Sequence, residues 1–298
     1  MRLREWGLLV LLSLIWGSSF VFVEVALVGL SPLTLVFFRL AIAALTLFVV
    51  CGVQRQRLPR LRHWGPFFIL ALLNNVMPFS LIVWGQTHIS AGLASILNAT
   101  TPIFTVLLAH GLTQDERLTW PRFLGVMAGF LGVVMLIGPG ALGGFSWQEV
   151  GQFAVMGAAC SYALAALYGK RLRGQPAVVI ATCTVTAAAT LLLPLSWVVE
   201  RPHLRQVDGA SWAAVTALGV LCTGLAYLIY YFILTEAGAT SAALVTFLIP
   251  PSALLLGAVV LEEQLAWNGV VGLAAILTGL ALINRRGDRR EKSRRERC

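Results

Sequence analysis

Side chains suited to proton transfer, metal ligation or nucleophilic attack are scarce in this sequence, and none of them cluster. Its 298 residues hold four histidines and five cysteines. No HExxH, CxxC or paired intramembrane aspartates occur, and no glycine-rich loop precedes a basic residue in the pattern that cradles phosphate. An intramembrane enzyme, a metal site and a cofactor site therefore have no residue set to rest on. What recurs instead is a polar group beside an aromatic one. Asn75, Phe79 and Ile82 share a helical face at i, i+4 and i+7, and Thr223, Tyr227 and Tyr230 repeat the spacing 148 residues later. Ser95, Asn98 and Thr101 follow at intervals of three, with Thr246 answering Asn98. Trp16, Phe20 and Tyr162 add aromatic walls. Amide or hydroxyl beside ring, presented twice, suits a binding site for a small solute of mixed polarity. The competing reading is helix-to-helix hydrogen bonding, worth about 0.6–2 kcal/mol per contact.

Ionisable groups within the apolar runs are Glu24, Arg39 and His110. Glu24 lies 18 residues beyond Trp6, and Arg39 lies seven residues into the next run, about 10 Å along a helix. The favoured expectation is a structural pair of Glu24 with Arg39, which lowers the cost of burying either. The alternatives are Arg39 as an anchor for a solute carboxylate and Glu24 as a proton carrier. His110, near a helix end, reads as a cap on the negative dipole. His88 falls in a turn.

The elements that must position these residues are membrane helices. Hydrophobic residues make up 58% of the chain and charged ones 12%, with a mean hydropathy of +0.83. A soluble domain has no core large enough to hide that excess. Ten segments emerge, near 6–28, 32–51, 64–86, 91–112, 120–137, 149–169, 177–198, 212–235, 241–261 and 267–284. At about 20 residues each they leave no room for a separate soluble domain. Helices are the open-chain solution in lipid, because unpaired strand edges cannot face hydrocarbon. Trp6, Trp64, Trp120, Trp147, Trp212 and Trp267 stand at segment starts, as interfacial anchors do. Nineteen of the 22 basic residues fall on the side of the N-terminus, Arg201 and Arg205 fall opposite, and Arg39 lies within a span. That asymmetry places both termini in the cytoplasm. The net charge of +9 thus orients a membrane protein rather than binding nucleic acid.

The chain also repeats itself. Ala91–Pro102 aligns with Ala239–Pro250 at an offset of 148, and Glu116-Arg117-Leu118, Gly125 and Gly132 align with Glu263-Gln264-Leu265, Gly272 and Gly279 at 147. A unit of five spans inverts its copy, the construction that gives a carrier two related conformations. Pro102 and Pro250 are repeat mates well inside their spans and read as hinges, or as static kinks. Glu116 and Glu263 are expected to cap the helices they precede. The GxxxG of Gly125 and Gly129 permits close helix contact within one chain or between two copies, so a homodimer stays open.

Ile15-Trp16-Gly17-Ser18-Ser19-Phe20 followed by Phe38-Arg39-Leu40 resembles the opening of an EamA-type protein of the drug/metabolite transporter superfamily. Pro102, Asp115-Glu116-Arg117-Leu118, Gly125 and Gly132 are similar to the end of each half of that family. Pro250, Glu263-Gln264-Leu265 and Gly272 are the second instance. The second copy departs from the pattern: no Trp-Gly pair stands at Cys160-Ser161-Tyr162, and no arginine answers Arg39. The resemblance implies an all-α inner-membrane protein of ten transmembrane helices in two inverted five-helix repeats (1–138 and 149–284, then a basic tail, 285–298). It implies eight helices around a central cavity, the fifth and tenth outside them, and an exporter of amino acids or other small metabolites. A passive facilitator or exchanger of the same fold is the alternative. The expected partners are a small solute and the lipid bilayer, with no metal or cofactor.

Overall fold

Among the described residues helix is the only regular secondary structure, as expected where each segment must satisfy its own backbone N–H and C=O groups. The computed structural model describes residues 3–112, 120–137, 146–172, 174–236, 245–264 and 267–284. Glu116 with its neighbours, residues 138–145, residues 239–244 of the second repeat motif and the basic tail lie outside them. In chain order the helices are α1 (Leu3–Leu27), α2 (Pro32–Val53), α3 (Gly65–Gly85), α4 (Ala91–Leu112), α5 (Trp120–Ile137), α6 (Trp147–Gly169), α7 (Ala177–Glu200), α8 (209–236), α9 (Val245–Val260) and α10 (Trp267–Asn284). Seven are long and apolar enough to cross a membrane: α1 to α4, α6, α7 and, over Gly209–Tyr230, α8. The other three carry shorter apolar stretches, Phe123–Met135, Leu248–Val260 and Gly269–Gly279.

Local chemistry sets the boundaries. Proline near the start of α2 and α3 occupies a turn whose N–H has no partner in any case. Ser146 and Glu149 form a reciprocal capping box at α6. Asp208 caps α8 by accepting from Ser211 N–H at 2.8 Å, and its hydrogen bonds with Ser211 hold the carboxyl below the usual range. Trp6, Trp120, Trp147 and Trp267 are exposed near helix starts.

Four helix pairs pack along much of their length: α5 with α10, α2 with α7, α1 with α9, and α4 with α6. α3 also lies on α6 and α7, and α8 on α1 and α2. Small residues bring these backbones close, as packing between helices in lipid requires. A Cβ on Gly219 of α8 would sit 2.9 Å from the Arg39 carbonyl of α2, and one on Gly151 of α6 would sit 3.1 Å from the Gly85 carbonyl of α3. The backbone of Gly125 and Gly129 of the GxxxG lies against α10, where a Cβ on Gly279 would meet the Gly129 nitrogen at 2.8 Å, while the open side of Gly129 takes the Ile103 side chain of α4. Within this chain that motif serves the α5–α10 contact.

One rim of the bundle is stitched by carboxylates. Glu200, at the end of α7, accepts from Leu33 N–H and Thr34 N–H, both at 2.8 Å, and from the hydroxyls of Ser31 and Thr34 at 2.5 and 2.7 Å. It thereby caps α2. Glu263 accepts from Ala91 N–H at 2.8 Å and Gly92 N–H at 3.0 Å, capping α4. The expectation that Glu263 caps its own following helix is corrected: the exposed amides it reaches belong to α4, packed beside it in space though 171 residues away in sequence.

Candidate functional site

A cavity of about 610 Å³ runs between the helices, and its walls come from α1 to α4 and α6 to α9, with no residue of α5 or α10 among the described residues. α1 contributes Trp16 and Phe20, α6 contributes Tyr162, and α8 contributes Tyr227 and Tyr230. Phe79 of α3 and Thr246 of α9 complete the set, together with Ser95, Asn98, Thr101 and Pro102 of α4. Ten of the twelve residues expected to meet a solute therefore line one space. The ring centroids of Trp16 and Tyr230 lie 5.5 Å apart.

The two exceptions, Asn75 and Thr223, share one cause. Leu72–Val76 of α3 and Val220–Leu225 of α8 are π-helical, and their starts lie 148 residues apart, the offset of the sequence repeat. A π-turn adds one residue to the helix, so the residue on the face of Phe79 or Tyr227 lies five positions back instead of four. Asn74 and Cys222 line the cavity as a result. Asn75 (0% exposed) and Thr223 (1%) are held one layer behind. From there they tie the walls together. The side-chain amides of Asn74 and Asn75 both donate to the Tyr227 hydroxyl at 3.3 Å. Thr223 donates to the Leu218 carbonyl at 2.9 Å, the i−5 carbonyl that a π-turn brings within reach, and accepts from Arg39 Nε at 3.0 Å.

Among the described residues lining the cavity, Arg39 is the only formally charged one. Its guanidinium carbon stands 4.0 Å from the Phe79 ring centroid. The expected pairing of Arg39 with Glu24 is corrected: each has other partners. Glu24 Oε2 accepts from Gln86 Nε2 at 3.1 Å, and the same nitrogen donates to the Phe20 carbonyl at 2.9 Å. Two acceptors facing that nitrogen fix the orientation of the Gln86 amide. The helical heights of Glu24 and Arg39 suited a pair, but Gln86, the residue that caps the end of α3, stands where Glu24 points. Glu24 borders a separate opening of about 540 Å³ near His88, Gln148 and Glu263, and Gln86 borders both spaces. His88 stacks on Trp147 with centroids 5.6 Å apart. His110 lies in the last turn of α4.

The Trp-Gly-Ser-Ser-Phe run acquires a role at each position. Trp16, Ser19 and Phe20 face the cavity. Gly17 admits Ser252 of α9, whose single O–H is shared between the Ser13 carbonyl at 2.7 Å and the Ile249 carbonyl at 2.8 Å. Ser18 reaches Cys222 of α8 at 3.9 Å. Pro102 borders the cavity just after the interruption of α4 between Asn98 and Thr101. Pro250 is buried inside α9 and does not line it. Sequence reasoning missed Asn74, Gln86, Thr105 and Thr184 as lining residues. Only the π-turns would have pointed to Asn74, and helical spacing hides them.

The EamA-like transporter family matches this sequence twice, over residues 5–138 and 149–285. The chain belongs to the EamA-like transporter family. This EamA-like chain is 29% identical over 289 residues to a protein of Streptantibioticus cattleyicolor named a probable terminal-alkyne amino-acid exporter, covering 96% of one and 95% of the other. It is 26% identical to the uncharacterized transporter YoaV of Bacillus subtilis, covering 90% and 92%. It is 23% identical to the uncharacterized inner membrane transporter YedA of Escherichia coli K12, covering 95% and 92%. A crystal structure with 20% sequence identity superposes with a TM-score of 0.68 over 95% of this chain and 98% of its own, a likeness of fold. Apolar helices together with transporter relatives make this EamA-like protein a multi-pass membrane protein.

Proposed function

We propose that the protein is a secondary carrier of the inner membrane that moves a small organic metabolite outward by alternating access around the cavity. In this reading ten spans form two inverted five-helix repeats, 1–138 and 149–284, with both termini cytoplasmic. The observation that carries it is the pair of π-turns, one in α3 and one in α8, at the sequence-repeat offset and bordering one cavity. The packing pairs add support. Exchanging α1 to α5 with α6 to α10 turns α1–α9 into α6–α4, α3–α6 into α8–α1 and α3–α7 into α8–α2, all of which are packed pairs. A pseudo-two-fold axis produces that pattern, and such an axis relates the inward-open and outward-open states of a carrier. The name of the Streptantibioticus relative supports export and an amino-acid-like solute.

The solute contacts in this reading are the cavity-facing residues above, with Asn75 and Thr223 as their supports and Pro102 and Pro250 as hinges. A facilitator or exchanger of the same fold is the second reading. It is favoured by the absence of Asp and Glu from the lining among the described residues, since proton coupling needs a group that titrates. Reconstitution into proteoliposomes distinguishes the readings: counterflow of a labelled metabolite panel, with and without a pH gradient. Counterflow independent of pH selects the exchanger. No counterflow of any solute by folded, reconstituted protein refutes carriage itself.

A further inference from the structure

Arg39 presents an unfinished interaction. Its side chain is 8% exposed, among membrane helices, and a guanidinium stays charged in such a place. A buried cation is tolerated when a counter-charge and hydrogen bonds compensate its lost hydration. Within the protein, Nε is used on Thr223 and one face lies over the Phe79 ring, while no carboxylate pairs with it among the described residues. Glu24 is held by Gln86 and borders the other opening. The two terminal nitrogens remain, on a fork whose direction is fixed by the Thr223 bond and the aromatic face. That is the geometry in which arginine receives a carboxylate through two parallel N–H bonds. Two further lining residues carry buried oxygens without a hydrogen bond inside the protein, Asn98 Oδ1 and Thr184 Oγ1. The remaining wall is apolar, with the rings of Trp16, Phe20, Tyr162 and Tyr230 beside aliphatic residues such as Ile82 and Ile249.

We propose that Arg39 is the anchor for the carboxylate of the transported solute, so that the protein carries small organic acids or amino acids with an apolar or aromatic remainder. The assignment rests on the carrier reading and sharpens it. A neutral or cationic solute would leave the guanidinium without a counter-ion, and an aromatic acid or amino acid completes both the charge and the wall.

The test uses the full-length protein purified in detergent and five probes: 3-phenylpropionate, 3-phenylpropionamide, 3-phenylpropylamine, L-phenylalanine and L-phenylalaninamide. The two acids are expected to raise the apparent melting temperature in a saturable way, and the amides and the amine to do so at least tenfold more weakly. Arg39→Gln removes the preference for acid over amide, and Arg39→Lys weakens acid binding at least tenfold while keeping the preference. If Arg39→Gln does not fold, Thr223→Val, which frees the fork but keeps the charge, weakens acid binding three- to tenfold. A wild-type protein that shows no preference for the acids overturns the assignment, as does a preference that survives Arg39→Gln or acid binding unchanged by Thr223→Val. Counterflow of the same probes separates the two readings. Exchange that Arg39→Gln leaves intact keeps the carrier and removes the anchor. Acid-selective stabilisation with no exchange of any probe keeps the anchor and removes the carrier.

Discussion

Replacing Gly17 by alanine tests why a glycine follows Trp16. The added Cβ would lie 2.9 Å from the Ala253 nitrogen and 3.0 Å from Ser252 Cβ on α9, and closer still to Ser252 Oγ. Carbon contacts are comfortable at about 3.5–4.0 Å, so α1 and α9 must separate by about 0.5–1 Å or Ser252 must turn away. Overpacking of this kind costs about 1–3 kcal/mol. Turning Ser252 forfeits the one O–H bond it shares between the Ser13 and Ile249 carbonyls, about 0.5–1.5 kcal/mol. A total of about 1.5–4.5 kcal/mol, at about 2–4 °C per kcal/mol, lowers the apparent melting temperature by about 3–18 °C. The measurement is a fluorescence-detected size-exclusion melt of Gly17→Ala, Ser252→Ala and the double variant in one detergent. Because the clash is largely with the Ser252 side chain, the double variant is expected to lose less than the sum of the singles, with a coupling of about 0.5–3 kcal/mol. Strict additivity, or a Gly17→Ala protein as stable as the parent, refutes the packing account of the motif.

Glu200→Gln leaves one acceptor oxygen where two receive four hydrogen bonds, and is expected to cost about 1.5–3 kcal/mol in the same melt without changing counterflow. Gly279→Ala sets a Cβ against the Gly129 backbone and destabilises by about 1–3 kcal/mol. Gly7→Ala on α1 meets nothing within 4 Å and stabilises by about 0.5–1 kcal/mol; equal signs for these two variants would contradict the close α5–α10 contact. Tyr227→Phe removes the oxygen that accepts from Asn74 and Asn75 and strands a fully buried amide, at about 1–3 kcal/mol. In the same variant Asn74 loses its tether, so half-saturation of counterflow rises with it.

Composition and hydropathy were enough to read a helical membrane protein, because the bilayer permits few alternatives. Much of the cavity was legible too, since polar and aromatic residues inside apolar runs have few other uses. Register was harder to read. Leu72–Val76 and Val220–Leu225 look like ordinary helix, and nothing in their residue types announces the extra residue of a π-turn. The spacing argument therefore chose Asn75 and Thr223, each one position past the residue that faces the cavity. The pairing of Glu24 with Arg39 failed for a different reason. Rise per residue sets depth in the membrane, but which neighbour stands beside a carboxylate depends on how α1, α2 and α3 rotate against one another. Glu263 makes the same point: a helix start can be capped from a distant part of the chain, and local spacing carries no sign of it.

The carboxylates of the stitched rim bear on how the chain is made. Ser31, Leu33 and Thr34 leave the ribosome 166–169 residues before Glu200, and Ala91 and Gly92 leave it 171–172 residues before Glu263. At about 5–20 residues per second, each pair of amides waits about 8–35 s for its acceptor. Until then water or lipid headgroups must occupy those N–H groups, and the first half enters the bilayer with two loose helix ends. Translation of the second half is the event that fastens them, so a chain arrested before Glu200 should be a substrate for membrane proteolysis rather than a stable half-bundle.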